Sequence, residues 1–517
     1  MMRKVLVTAM MTTALAACTS PVGPQDSQIT VSSTWNEFAS VSPSPLAQDS
    51  TGNIEHDWWK HFDDPTLDAL MDEALANNKT LAIARARVEE AQANRAATRA
   101  QLLPDITASG TATRENLGVN TFGATYGIGE ADLNASWELD LFGGQQARTA
   151  AAAAMLQSEQ ANEQGVRVGL LAEVARNYFD MRNNERQISI AEQNLATQQK
   201  TFELIEAQKT AGLASDFDLQ RAGAEVSTTA AEIPALKSAY AAAKNRLNVL
   251  LGVPPGTKDA LLAAPAALQP LDPHVLVAAP AAVIANRPDV RAAERAFAAS
   301  ISTASAATRD LFPKINLLGL YGVQDSNALG WAHPWSLGLN LVQPVLDFGR
   351  VESEIDLSDA QQKEAFANYQ QTVLSALEDM ENALTAYLQE MQRNASLQTG
   401  VAQNQRAADL AQLQFKNGEI ALLDVLVADR NALNAESALA ASDTALREDL
   451  VHIYAAAGGG WDVTPAAAPA PSTPPQAQTQ ISPDMAQPPQ TQTVITPPDA
   501  PSNAPHVEVK SQTMVIQ

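Results

Sequence analysis

Two hydrophobic periods divide this chain. Long stretches repeat apolar residues three and four apart, as amphipathic helices do, and four short stretches alternate apolar with polar residues, as half-buried strands do. The clearest alternation covers 132–141. Leu133, Ala135, Trp137, Leu139 and Leu141 share one face, and Asp132, Asn134, Ser136, Glu138 and Asp140 share the other. Further on, Trp335, Leu337, Leu339 and Leu341 alternate with Ser336, Gly338 and Asn340. Residues 106–113 alternate Thr or Ser with Ala or Gly, and 315–324 is apolar with weaker alternation. Four strands of about ten residues, apolar on one face, suit the wall of a membrane barrel. Taken alone, they also suit a small soluble sheet with one wet face.

The helical period predicts six helices, over 66–102, 144–211, 216–251, 288–311, 349–416 and 422–457. Asp64 and Pro65 supply a cap and first-turn pair for the first, and Pro104 ends it. Gly212 and Gly252 break the next two, and Pro234 should kink the helix over 216–251. A helix over 144–211 extends about 100 Å at ~1.5 Å per residue. The two shorter helices of the same half, laid end to end, match that length.

The chain also repeats itself. Leu102-Leu103-Pro104-Asp105-Ile106 returns as Leu311-Phe312-Pro313-Lys314-Ile315, an offset of 209. Leu139-Asp140-Leu141-Phe142-Gly143 returns as Val345-Leu346-Asp347-Phe348-Gly349, an offset of 206. Gly212 and Gly418 are 206 apart, as are Gly252 and Gly458. The expected division is a signal peptide (1–17), a leader (18–57), a first repeat (58–253), a linker (254–280), a second repeat (281–460) and a Pro/Ala/Gln/Thr-rich tail (461–517). That tail carries twelve of the 29 prolines and no glycine, a composition that cannot bury a core.

Composition narrows the function. The formal net charge of −24 argues against a nucleic-acid binder. Aromatic residues make up only 5 % of the 517, and alanine is abundant, which favours thin, closely packed helices. A single cysteine rules out a disulfide framework. That residue, Cys18, follows Arg3 and Lys4, a short apolar run over 5–15, and Leu15-Ala16-Ala17. The pattern is a secretory signal and resembles a bacterial lipobox, which implies lipidation at Cys18. Thr19, rather than aspartate, then implies transfer to the outer membrane. No later stretch of eighteen apolar residues offers a transmembrane helix, so any crossing must use a closed β-barrel. Four strands cannot close one, so several chains must contribute. The six scattered histidines have no metal-ligand spacing, and Met71, Met155, Met181, Met380 and Met391 read as core fillers. No phosphate loop, nucleophile elbow or dinucleotide fingerprint is present, so neither an enzyme nor a cofactor is expected.

Several motifs resemble the TolC-like outer-membrane factor family, and specifically its lipoprotein, NodT-type branch. They are Trp58-Trp59 with Phe62, Asp64-Pro65 and Leu67; Leu103-Pro104-Asp105-Ile106; Trp137-Glu138-Leu139-Asp140-Leu141-Phe142-Gly143; Asn286-Arg287-Pro288-Asp289-Val290-Arg291-Ala292-Ala293-Glu294; and Phe348-Gly349-Arg350. They cover about residues 55–460 in the family's order. The resemblance implies a mainly α protein with a β-barrel part, built from two repeats of helix–strand–strand–long helix–helix. It implies a homotrimer whose strands form a 12-stranded outer-membrane barrel above a periplasmic α-helical barrel. The function implied is the passive exit duct of a tripartite efflux pump, conducting small molecules delivered by a periplasmic adaptor and an inner-membrane pump. A duct for secreted polypeptides and a structural coiled-coil lipoprotein are the alternatives.

The resemblance also places candidate sites. The turns at Ala211, Gly212, Leu213, Ala214 and Ser215, and at Asn417, Gly418, Glu419 and Ile420, match the family's adaptor-docking tips; the bland reading is a plain helix cap, and both can hold together. Asp424 falls where the family often has a constriction aspartate, and three copies would form an acidic, cation-selective ring; the plain alternative is a solvated helix carboxylate. Ile420 and Val427 depart from the arginine and second aspartate that some members carry near it. Phe415 either narrows the same aperture or packs as core.

Overall fold

The computed structural model describes residues 25–36, 46–49, 56–116, 125–262, 269, 271, 275–327 and 330–460. Cys18 and the tail over 461–517 lie outside the described residues. In chain order the first half contains β1 (Leu46–Asp49), a 3-10 helix (Trp58–Phe62), α1 (Pro65–Asn77), α2 (Lys79–Ala100), β2 (Asp105–Asn116), β3 (Thr125–Leu139), α3 (Gly144–Thr210) and α4 (Asp216–Leu250). After α5 (Asp259–Leu262) and β4 (Val275–Ala278) come α6 (Pro280–Asn286), α7 (Pro288–Arg309), β5 (Lys314–Ser326), β6 (Gly330–Ala332), β7 (Trp335–Val342), α8 (Arg350–Lys416) and α9 (Leu422–Ala456). The two long helices, α3 and α8, have 67 residues each, ~100 Å at ~1.5 Å per residue.

The single helix expected over 66–102 is in fact two. Asn78 leaves the helical region with ψ 132°, and its side-chain oxygen accepts from the Leu81 amide at 2.9 Å to start α2. Its Nδ2 donates at 2.8 Å to the Leu250 carbonyl, the last residue of α4. One side chain thus caps the start of α2 and the end of α4. The second repeat makes the same joint with different chemistry: Arg287, which precedes α7, donates from Nη1 to the Ala456 carbonyl at the end of α9 at 2.9 Å. Glycine is needed beside the first joint. Gly252 has φ +73°, and a Cβ there would lie 2.3 Å from the Asn77 carbonyl oxygen. Each long helix therefore runs beside two shorter ones, α2 and α4 along α3, α7 and α9 along α8. α3 also packs on α7 and α9, which ties the repeats together. α4 continues through Pro234 as one helix.

The largest core sits near these joints. It gathers Trp35, Trp58, Trp59, Phe62, Leu70, Met71, Tyr178, Phe179, Met181, Met380, Tyr387 and Val451. Met71, Met181 and Met380 are fully buried there. Segments without a sequence period also join in. β1, from the leader, pairs in parallel with β4, from the linker. Trp35 is 2 % exposed and donates its indole N–H to the Ala278 carbonyl at 2.9 Å. Leader and linker are therefore partly built structure rather than plain connections.

The second sheet has the order β2–β3–β5, with β6 and β7 both on the far edge of β5. β6 and β7 act as one strand in continuous register along β5, from Ser326 opposite Gly330 to Lys314 opposite Val342. Between them Pro334 has no amide, but its carbonyl accepts from the Gly322 N–H at 2.8 Å, so the ladder carries through. All pairings are antiparallel.

Candidate functional site: an amphipathic sheet and two helical tips

Residues opposite one another across a ladder point to the same face, so the register assigns every side chain of the sheet. On one face lie Ile106, Ala108, Gly110 and Ala112 of β2, then Leu133, Ala135 and Trp137 of β3. Leu317, Gly319 and Tyr321 of β5 follow, and then Trp335, Leu337, Leu339 and Leu341 of β7. On the other face lie Thr107, Ser109 and Thr111, then Glu130, Asp132, Asn134 and Ser136, then Asn316, Leu318, Leu320 and Gln324, then Ser336 and Asn340. One face is apolar across all four strands, and the other is mainly polar and acidic. The apolar face is uncovered in a single chain: Trp335, Leu337 and Leu339 are 74 %, 73 % and 66 % exposed. So large an exposed apolar face marks a membrane or partner surface. Among the described residues, both outer edges, β2 and β7, have no further strand paired to them. Among the described residues no helix is long and apolar enough to cross a membrane.

At the far ends of the long helices lie the two tips. Their turns have the same hydrogen-bond geometry. At the first, the Gly212 amide donates to the Lys209 carbonyl at 2.9 Å and the Leu213 amide to the Gln208 carbonyl at 2.8 Å. At the second, Gly418 donates to Phe415 and Glu419 to Gln414, both at 2.9 Å. Both glycines have φ +77°, the left-handed conformation that ends a helix in a Schellman turn. Ser215 then starts α4 with a capping box, exchanging hydrogen bonds with Asp218. Ala421 starts α9 without a side-chain acceptor, and Asp424 reaches back to accept the Ala421 amide at 3.2 Å. Asp424 thus occupies the position of Asp218 in the other repeat, exposed and capping its own helix.

A small core joins the tips. Ile205, Ala222, Leu422 and Leu426 are buried together, with Phe202, Ala214, Leu219 and the half-buried Phe415 packed on them. Arg430 of α9 grips Glu225 of α4 with two bonds, at 3.0 and 2.6 Å, and Lys209 pairs with Asp216 across the first turn. Leu213 is 80 % exposed and Phe217 66 %. Residue order alone does not single out Phe217; its exposure does, and its ring carries the Arg221 guanidinium at 5.2 Å.

Several carboxyls along the helices are perturbed, Asp379, Glu448 and Asp429 among them. Asp379 of α8 is held down at about 2, chiefly by its hydrogen bond from His452 and then by Arg287, at 2.8 and 2.9 Å. Glu448 is pushed up to about 7 by burial and by the neighbouring Asp180. Burial raises Asp429, which is 6 % exposed; one of its oxygens accepts from Gln412 at 3.0 Å and the other has no hydrogen bond among the described residues. No group of three or more metal-ligating side chains occurs among the described residues.

The family model for outer membrane efflux proteins matches residues 70–253 and 279–459. This chain belongs to that family. It is 32 % identical over 391 residues to Nodulation protein T of Rhizobium leguminosarum bv. trifolii, covering 74 % of this chain and 83 % of that protein. It is 31 % identical over 463 residues to the pyoverdine export outer membrane protein OpmQ of Pseudomonas aeruginosa, covering 86 % and 95 %. The solved structure of the outer-membrane channel OprN superposes with a TM-score of 0.77 at 32 % identity, covering 86 % of this chain and all of that one. The protein is an outer-membrane efflux channel of the TolC-like fold, with a large helical part on the periplasmic side.

Proposed function

We propose that three copies close their sheets into one 12-stranded barrel and their helices into one tunnel, which passively conducts small molecules outward. The observation that carries this reading is the sheet: apolar on one face, mainly polar on the other, and open at both edges. Unpaired backbone groups in lipid cost several kcal/mol each, so neighbouring copies must pair those edges. The polar face then lines the pore. The turns at Ala211–Ser215 and Asn417–Ile420 dock a periplasmic adaptor, which an inner-membrane pump supplies with cargo. Leu213, with Phe217 beside it, offers that adaptor an exposed apolar contact. Three copies of Asp424 form an acidic ring above Phe415 and favour cations. Cys18 carries a lipid that adds to the barrel's hold on the membrane. The chain supplies conduction rather than catalysis, and the relative named for pyoverdine export supports a small-molecule cargo over a polypeptide. Native mass spectrometry of the detergent-extracted full-length protein tests the assembly. Three chains are expected; a monomer under conditions that keep the sheet folded would contradict it.

A further inference from the structure

The repeat offsets apply to hydrogen-bond register as well as to motifs. Within repeat one, Asp105 faces Ser136 and Asn116 faces Thr125. Adding 209 to the first strand and 206 to the second turns these pairs into Lys314 with Val342 and Asp325 with Trp331. Both are observed pairs of repeat two. The two hairpins are therefore copies of each other to the residue, across the Pro334 interruption as well.

The contact between the hairpins pairs the second strand of repeat one, β3, with the first strand of repeat two, β5. Its counterpart would pair the second strand of repeat two, β7, with the first strand of repeat one, β2. One chain cannot make that contact, because β2 and β7 lie at opposite edges of its sheet. We propose that β7 of one copy pairs antiparallel with β2 of the next in the transferred register. Asn134 opposite Leu320 becomes Asn340 opposite Thr111 of the next copy. Asp132 opposite Gly322 becomes Gly338 opposite Thr113, and Ala135 opposite Gly319 becomes Leu341 opposite Gly110. This deepens the assembly reading above and rests on it.

Three features of the strands and the joint agree with this register. The faces match: apolar Leu339 and Leu341 meet Ala112 and Gly110, and polar Asn340 meets Thr111, whereas a slip of one residue would put leucine against threonine. The backbone matches as well. The Gly322 amide bonds the Pro334 carbonyl, so even-numbered positions of this strand turn their backbone groups inward to β5. Leu337, Leu339 and Leu341 are left with amides and carbonyls at the open edge. Finally, the joint below the barrel has a missing half. Phe142 stacks on Phe312 with centroids 4.8 Å apart, a contact from repeat one to repeat two. Its counterpart sets Phe348 against Leu103 of the next copy. In the single chain these two are 91 % and 65 % exposed, and Phe348 is held at φ +56°.

Because Cys18 is the only native cysteine, paired substitutions in the full-length protein test the register. Thr111→Cys with Asn340→Cys is the predicted pair, on the pore face and at a narrow, non-hydrogen-bonded position with Cα atoms ~4.5 Å apart. Thr111→Cys with Gly338→Cys, and Thr111→Cys with Val342→Cys, are the controls. They keep the face but shift by two residues, to ~7–8 Å, beyond disulfide reach. Mild oxidation in isolated outer membranes, followed by non-reducing gels, should link the predicted pair into covalent trimers at least tenfold faster than either control. The single substitutions set the background, and native mass of the unoxidised protein reports assembly separately. A control pair linking as fast in protein of trimeric mass would overturn the register and leave the trimer standing. Unoxidised protein of monomeric mass would overturn the assembly and the register together.

Discussion

Leu339 and Asn340 are neighbours on β7 that face opposite ways, and the membrane makes them unequal. Leu339 lies in the middle of the leucine run on the apolar face and is 66 % exposed in the single chain. A lysine on the lipid face of an outer-membrane barrel costs ~2–4 kcal/mol near the bilayer centre. Three copies of Leu339→Lys should therefore cost a trimer ~6–12 kcal/mol. Asn340 points to the polar face, and Asn340→Lys should stay within ~0.5 kcal/mol per copy, as surface substitutions usually do. Were the sheet a soluble one with both faces wet, Leu339→Lys would also fall within that range. The assay is urea unfolding of the full-length protein in lipid vesicles, followed by tryptophan fluorescence, with parallel scoring of trimers in the outer membrane. Loss of folded trimer from Leu339→Lys, beside near-normal Asn340→Lys, is the expected result. Equal costs at the two positions would refute the assignment of faces.

Further predictions concern the helices. Gly252→Ala adds a Cβ that meets the Asn77 carbonyl oxygen at 2.3 Å from a left-handed backbone, and should cost ~2–5 kcal/mol. Gly212→Ala has a similar φ but open space around it and should cost only ~1–2 kcal/mol; denaturant unfolding compares them. The depressed Asp379 stabilises the fold fully above about pH 4, and that contribution is lost as pH falls through about 2. Asp379→Asn should therefore lower stability at neutral pH and flatten the acid limb of a thermal-melt profile. Asp429 is raised by burial, so its ionised form opposes folding above its unfolded range. Asp429→Asn should raise the melting temperature at pH 7, with the gain shrinking as the pH is lowered past the carboxylate range.

Much of the fold was legible because two different periods write two different parts. Strict alternation in 132–141 and 335–341 located β3 and β7, and the glycines at 212 and 418 located the tips to the residue. The break at Asn78 was hidden because nothing interrupts the helical period there; the signal is a buried side chain reaching a carbonyl 172 residues later. β1, β4 and the burial of Trp35 were equally illegible, since a four-residue parallel pair and one anchoring indole carry no period. At the tips, spacing placed Asp424 and Phe415 but not their partners. The structure adds that Asp424 caps Ala421, that Phe415 packs on the tip core, and that Arg430 and Glu225 join the two hairpins.

Conduction itself is the most direct test. Full-length protein, verified as a trimer by native mass, would be inserted in planar bilayers beside Asp424→Asn. That change removes the charge but keeps an oxygen for the Ala421 amide. Discrete, cation-selective conductance steps are expected from the native trimer, and steps with reduced selectivity from Asp424→Asn. Verified trimers of both proteins that insert and give no conductance steps would contradict the channel.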